Sequence, residues 1–290
     1  MYKRLNKNNT AVHHNYNHIN VHPIDGALGA EIEGVDISQP LDGEVISEIR
    51  KAFLDHLVIF FRDQNLTPQQ QLAFAENFGQ AMKYPQLKGL PECPLVTAVI
   101  KLEHERVNFG GVWHSDTTYL EHPPMASLLY AVEVPPKGGD TLFANQYLAY
   151  ETLSEDLKTQ LTGLVGVSNS TKPEVAKTRE DRLRDDGVEV KVLHATHPVA
   201  RTHPETGRKS LYVNNAHTTQ IEGWTEEESR SLLIQLFEHQ VKPEFTSRFS
   251  WGQGSLAFWD NRCAQHNPVN DYHGFRRIMH RVTLAGDKPC

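Results

Sequence analysis

Little in this chain points to an oxidising compartment, a membrane or a nucleic acid. Its 290 residues include only three cysteines, Cys93, Cys263 and Cys290, and their spacing fits neither a disulfide framework nor a zinc motif. That usage suits a reducing cytosol and predicts a cytoplasmic protein. No stretch approaches the roughly 20 apolar residues that a membrane helix needs. Acidic residues outnumber basic ones, 36 against 29, for a net charge of -7. With no basic run either, nucleic acid is a poor fit as a partner. Repeats and low-complexity linkers are missing too, so nothing divides the chain. Residues 1–20 are polar, rich in Asn and His, and lack the apolar core of a secretory signal. They predict a flexible N-terminal segment, although His13, His14 and His18 also read as a His-rich metal tract. Residues 21–290 then form one domain, an ordinary size for a single all-β or mixed unit.

What is present is a pattern of early helices followed by many short strands. Val21 to Ile37 reads as short β segments broken by Gly26, Gly29 and Gly34. Asp42 to Asp55 has Val45, Ile49, Ala52 and Phe53 spaced for one buried helical face. Leu57 to Phe61 is a short buried strand. Thr67-Pro68 opens a helix, with Thr as N-cap and Pro in the first turn. Further strands are expected at Val112 to Tyr119, Met125 to Val134, from Asp140 to Phe143, His197 to His203, Ser210 to Val213, Ser255 to Asp260 and Arg276 to Leu284. Helices are expected from Tyr147 to Leu161 and from Trp224-Thr225-Glu226 to about Gln240. Residues 171–190 are charged and weakly patterned, which suggests a lid or an insert. The sum is a mixed α+β domain, with a jelly-roll-like pair of sheets and flanking helices.

The chemistry concentrates at Trp113-His114-Ser115-Asp116. Two His and one carboxylate make up the facial triad of non-haem Fe(II) oxygenases, which leaves the opposite positions on the ion open. In an extended strand, side chains two apart point the same way. His114 and Asp116 can then grip one ion while Ser115 faces away, and the third ligand must come from a distant strand. His266 is that candidate, with Arg277 eleven residues beyond it. Period two places Arg277, Met279 and Arg281 on one face of a strand. Arginine presents a planar fork to carboxylates. An anionic co-substrate that chelates the metal at one end needs such an anchor at the other, and 2-oxoglutarate has that shape. With 16 His in the chain, a His-x-Asp pair alone means little, and the weight lies in the combination. A zinc hydrolase is the rival, because Zn²⁺ also accepts two His and a carboxylate. The paired arginines, and the lack of a general base such as the Glu of His-Glu-x-x-His, disfavour it. A third reading is an idle binding protein that keeps its metal for structure.

These residues resemble the taurine dioxygenase and 2,4-dichlorophenoxyacetate dioxygenase group of Fe(II)- and 2-oxoglutarate-dependent enzymes. The likeness runs from Gly29-Ala30-Glu31-Ile32 to Ala285-Gly286-Asp287-Lys288-Pro289. It is carried by the metal motif, Pro123-Pro124, Gly138-Gly139-Asp140-Thr141, Arg201-Thr202-His203-Pro204, Trp259-Asp260-Asn261-Arg262 and Arg276 to Arg281. The resemblance implies a double-stranded β-helix, with His114, Asp116 and His266 as iron ligands. Thr141 and Arg277 match the residues that bind a 2-oxoglutarate carboxylate, and Arg281 matches one between co-substrate and substrate. It further implies O₂ consumption, release of succinate and CO₂, and hydroxylation of a small anionic organic substrate. Where the hydroxylated carbon carries a heteroatom, the resemblance implies that this bond then cleaves. A homodimer or tetramer is implied as well.

The substrate pocket departs from taurine dioxygenase. Positions that hold the sulfonate there are Tyr84 and Leu87 here, and the Asn before the metal motif falls near Gly110, with Asn108 close by. Two pocket phenylalanines fall on Ser170 and His217. Taurine is therefore a poor fit. Tyr84, Asn108, Ser170, His217 and Arg281 are the expected substrate residues, in a wider and more polar pocket.

Overall fold

The computed structural model describes residues 16–85, 87–172 and 191–290. The expected lid at residues 171–190 lies outside the described residues apart from Thr171 and Lys172, as does most of the N-terminal segment. The chain opens with strands β1 (Asn20–Pro23) and β2 (Ala30–Glu33), helix α1 (Gly43–His56), β3 (Val58–Phe61), helix α2 (Pro68–Glu76), β4 (Ala81–Met82) and β5 (Val96–Lys101). Its middle runs through β6 (Ala126–Glu133), β7 (Thr141–Asn145), helices α3 (Gln146–Glu151) and α4 (Glu155–Leu161), β8 (Val165–Asn169), β9 (His194–Pro198), β10 (Ala200–Thr202), β11 (Lys209–Leu211) and β12 (Thr218–Ile221). The last part adds helix α5 (Glu226–His239), β13 (Thr246–Phe249), β14 (Leu256–Asp260), β15 (Ala264–Pro268) and β16 (Arg277–Leu284).

The main sheet has the order β1-β2-β3-β14-β6-β16-β4, and β5 also pairs with β16. A second sheet, β13-β7-β15, packs on one face of it. Strand periodicity explains the layering. Ile59 and Phe61 of β3, with Leu256 and Phe258 of β14, join the core beneath α1 and α2. The alternate residues Val58, Phe60, Ala257 and Trp259 join a separate core with Phe143 and Phe249 of the second sheet. Phe53 stacks on Phe258 at 4.2 Å on the helical side, and Phe60 stacks on Phe249 at 3.8 Å on the other. Each such buried ring contributes roughly 1.5–3 kcal/mol. Strands β12-β8-β9 form a third sheet, and a third apolar cluster joins α3, α4, α5 and β11.

The helix starts follow local chemistry. Thr67 and Gln70 form a reciprocal capping box at α2, as Thr225 and Glu228 do at α5. Three expectations need correction. The single helix from Tyr147 to Leu161 is two, because Thr152 turns its hydroxyl onto the Leu148 carbonyl and Ser154 is extended and caps a new helix. The strand from His197 to His203 is likewise split, with Val199 between β9 and β10. The strand from Val112 to Tyr119 is not one. It makes a single bridge at His114 and then turns. Thr117 has φ 43°, a left-handed conformation rare for a β-branched residue, and it swings the chain out of the sheet directly after Asp116. Strands β5, β8, β12, β13 and β15 have too weak an alternation to be read from the sequence.

Candidate active site

Backbone pairing sets the two histidines side by side. His266, in the middle of β15, donates its amide to the His114 carbonyl at 2.8 Å, and the His114 amide returns the bond at 3.1 Å. Their rings lie 4.1 Å apart. Two residues on, the Asp116 amide donates to Asn261 Oδ1 at 3.3 Å. Ser115 faces the other way, as period two requires, and its hydroxyl donates to the Ala264 carbonyl. One bridge and one turn therefore achieve what a regular strand was expected to do.

The three side chains converge. Asp116 Oδ1 lies 3.7 Å from His114 Nε2 and 3.8 Å from His266 Nε2. The Val112 carbonyl can only accept, so His114 Nδ1 carries the proton it donates there at 2.7 Å. In that tautomer Nε2 carries the lone pair, the form in which imidazole can ligate an ion. The carboxylate is split in its loyalties. Oδ2 accepts from Ser127 Oγ at 2.7 Å and from the Arg281 guanidinium. Oδ1 is buried and bonds no protein donor. A bare carboxylate oxygen this deep is costly unless an ion meets it, so the donor set fits a divalent metal. Burial alone would raise the Asp116 pKa. Arg281 outweighs it, with help from both histidines and Ser127, and holds the carboxyl well below its usual range. Burial pushes His266 down, with His114 adding to it, which favours the neutral ring, the form a metal requires.

The arginine strand behaves as its periodicity requires. Arg277, Met279 and Arg281 are buried while Ile278 and His280 are less so. A cavity runs from His114 and His266 past Trp259 and Phe143 to Thr141 and Arg277. At its far end Arg277 Nε and Nη2 bond nothing, and burial pulls the guanidinium pKa down. Thr141 Oγ1 accepts from Trp251 Nε1 at 3.0 Å, which leaves the threonine proton free to donate. Trp251 also underlies the Arg277 guanidinium at 5.5 Å. An anion at this end would meet a cation and a hydroxyl. Arg281 is partly committed elsewhere: besides Asp116 it bonds Ser127 Oγ at 3.3 Å and lies 4.5 Å over the Tyr84 ring.

The four other expected substrate residues lie outside that cavity's lining. Tyr84 sits beneath Arg281 and meets Phe109 edge-on. His217 stands edge-on to His114 at 6.3 Å and to Tyr119 at 5.0 Å. Asn108 donates to the Pro268 carbonyl and accepts from the Tyr272 hydroxyl. Ser170 accepts the Leu193 amide. Gly110 takes the position where the sequence comparison expected an Asn. A Cβ there would lie 3.0 Å from His114 Cε1 and 3.2 Å from Nε2, and its φ of 71° favours glycine.

Sequence reasoning missed Ser127 and Trp251, which carry no motif signal of their own. It singled out Trp259-Asp260-Asn261-Arg262 without assigning roles, and the structure supplies them. Asn261 Oδ1 accepts from Trp259 Nε1 and from the Asp116 amide, while its Nδ2 donates to Ser127 Oγ. One side-chain amide thus ties together the strand end at Trp259, the Asp116 backbone and the Ser127 hydroxyl that Asp116 bonds. Asp260 forms a bidentate pair with Arg262 and accepts from His203 Nε2. His203, Asp260 and Cys263 also lie close enough to hold a metal. Two of the three are already committed, however, since His203 Nδ1 accepts two backbone amides and both Asp260 oxygens are bonded. That cluster is structural, and among the described residues only the Asp116 cluster presents a bare oxygen to two ring nitrogens.

Comparison with known proteins gives one consistent result. The family model described as "Taurine catabolism dioxygenase TauD, TfdA family" matches residues 20–283. An alkylsulfatase of Acinetobacter baylyi is 36% identical over 91% of this chain and 84% of its own length. An alpha-ketoglutarate-dependent sulfate ester dioxygenase of Pseudomonas putida is 36% identical over 93% of this chain and 91% of its own. A crystal structure of a putative alpha-ketoglutarate-dependent taurine dioxygenase from Burkholderia xenovorans superposes with a TM-score of 0.81 at 39% identity, covering 93% of this chain and 94% of that one.

Proposed function

The chain belongs to the taurine catabolism dioxygenase TauD, TfdA family, and from that membership we propose which residues carry its reaction and on what substrate. The protein is an Fe(II)- and 2-oxoglutarate-dependent dioxygenase that acts on a small anionic organic substrate. The zinc hydrolase weighed from the sequence has no support among its relatives. Bound iron supplies the coupling of O₂ and 2-oxoglutarate decarboxylation to oxidation of a substrate C–H bond.

In this reading His114, Asp116 and His266 hold the iron. The observation that carries it is the bare Asp116 Oδ1 facing both His Nε2 atoms. Arg277 and Thr141 anchor the far carboxylate of 2-oxoglutarate. Arg281 holds Asp116 in place and presents its remaining donors to the co-substrate and an anionic substrate. Tyr84, beneath Arg281, and His217, beside His114, are the nearest of the expected substrate residues. Asn108 and Ser170 shape the surrounding wall through their bonds to Pro268 and Leu193. The facing sheets are read as a double-stranded β-helix with the metal between them, and the assembly as a homodimer or tetramer in the cytoplasm.

The substrate class proposed is an alkyl sulfate ester, on the strength of the two 36% identical relatives. Hydroxylation of the carbon that bears the ester oxygen gives a product that collapses to an aldehyde and sulfate. The same oxygen balance yields succinate and CO₂ from 2-oxoglutarate. The test is anaerobic absorption spectroscopy of the Fe(II)-loaded protein. A weak charge-transfer band on adding 2-oxoglutarate, shifted by hexyl sulfate, is expected. On admitting O₂, aldehyde, sulfate and succinate should form in equal amounts. Absence of the band with iron fully loaded would overturn the site assignment. A band that phenoxyacetate shifts and hexyl sulfate does not would move the substrate to the aryloxyalkanoates.

A further inference from the structure

Arg277 has a second buried cation beside it. Lys101 stands directly opposite Arg277 in the antiparallel ladder of β5 and β16, Val99 opposite Met279, and Thr97 opposite Arg281. Directly opposed residues leave the same face of a sheet, so Lys101 shares the face that carries both arginines. It is 3% exposed. Its Nζ makes no hydrogen bond and lies 4.3 Å from the centre of the Tyr272 ring. A small cavity is lined by Lys101, Tyr272, Asn108 and Arg277, and Arg277 also lines the cavity of the triad. Arg277 is therefore the wall common to both.

Two adjacent buried cations without a carboxylate in contact make an expensive arrangement. The Tyr272 ring face offsets part of the cost. Burial lowers the Lys101 pKa, and Glu105 opposes this through space. A methionine would pack in the same volume with no charge to desolvate. An anion would satisfy both cations, and Arg277, which Lys101 backs, also lines the cavity of His114 and His266.

We infer that Lys101 is a second cation for the far carboxylate of 2-oxoglutarate and selects, with Arg277, a dicarboxylate over a monocarboxylate 2-oxo acid. The inference rests on reading the triad cavity as the co-substrate site. Its test compares 2-oxoglutarate with 2-oxovalerate, which has the same chain length and lacks the far carboxylate. Binding to the Fe(II)-loaded protein without O₂ is followed by the charge-transfer band and by the rise in melting temperature. Lys101→Met should weaken 2-oxoglutarate by about 10- to 100-fold, the loss of one charge-assisted bond. It should leave 2-oxovalerate within about twofold. Lys101→Arg should recover most of the loss. The ligand-free Lys101→Met protein should melt no lower than wild type, because a buried charge is gone. Lys101→Gln serves the same comparison if the methionine variant does not fold. An equal loss for both acids, or no loss for 2-oxoglutarate, would overturn the inference and leave the site reading intact. Wild-type protein that binds 2-oxovalerate as tightly as 2-oxoglutarate would instead overturn the site reading, and this inference with it.

Discussion

Ser127→Ala removes one hydroxyl that no sequence motif announces, and it should cost the protein its metal before its fold. Ser127 Oγ donates to Asp116 Oδ2 at 2.7 Å and accepts from Asn261 Nδ2 at 3.1 Å and Arg281 Nη2 at 3.3 Å. Alanine leaves the Asn261 donor unsatisfied in a dry site, which costs about 1–3 kcal/mol of stability. For a chain of this length, unfolding entropy is roughly 0.6 kcal/mol per kelvin, so the melting temperature should fall by about 2–5 °C. The larger effect is on the ligand. Asp116 keeps Arg281 and loses the hydroxyl that fixes which of its oxygens faces the histidines. Loss of a partner of this kind lowers metal affinity about 10- to 100-fold. Titration of the apo-protein with Mn(II), followed by electron paramagnetic resonance, measures that affinity without turnover. Circular dichroism in parallel reports the fold. If Ser127→Ala is folded and binds Mn(II) within about twofold of wild type, then Ser127 does not orient Asp116 and the account of the split carboxylate is wrong.

Three further predictions follow from other parts of the site. Arg277→Leu removes two unpartnered buried donors and should weaken 2-oxoglutarate by at least about 100-fold in the anaerobic band titration, with Mn(II) affinity unchanged. Gly110→Ala places a methyl 3.2 Å from His114 Nε2 at a φ of 71°. It should cost about 1–2 kcal/mol in denaturant unfolding from the backbone alone, and lower metal affinity besides. Asp260→Asn breaks the buried pair with Arg262 and should cost about 3–5 kcal/mol at pH 7. Burial would raise the Asp260 pKa, but Arg262, with His203, holds it well below the ordinary range. The folded-state pKa is thus depressed, and the stabilisation is present above the unfolded pKa of about 4 and lost as pH falls below it. Unfolding curves of wild type and Asp260→Asn should therefore converge in acid, and a constant gap down to pH 2 would contradict the assignment.

Local chemistry was legible where one residue type has one physical use. Thr67-Pro68 and Trp224-Thr225-Glu226 foretold two helix starts, because a threonine oxygen reaches the orphan amides of the first turn. Alternation in Arg277 to Arg281 foretold a buried arginine face. The strand expected at Val112 to Tyr119 was not found, because the Thr117 backbone turns the chain where composition suggests extension. Strands such as β5 and β15 escaped notice because tertiary pairing, rather than alternation, makes them strands.

By itself the sequence determined the identity of the donors. A His-x-Asp pair, a distant His and two arginines in period two define which atoms are offered, since side-chain chemistry travels with the residue. Which of those atoms are left without partners follows from the folded arrangement alone. It tied Asp116 Oδ2 to Ser127 and Arg281 and left Oδ1 bare, gave the His203 nitrogens and both Asp260 oxygens partners of their own, and set Lys101 across from Arg277. Hydrogen-bond satisfaction and burial depend on neighbours far away along the chain, and those neighbours exist only once the sheets have paired.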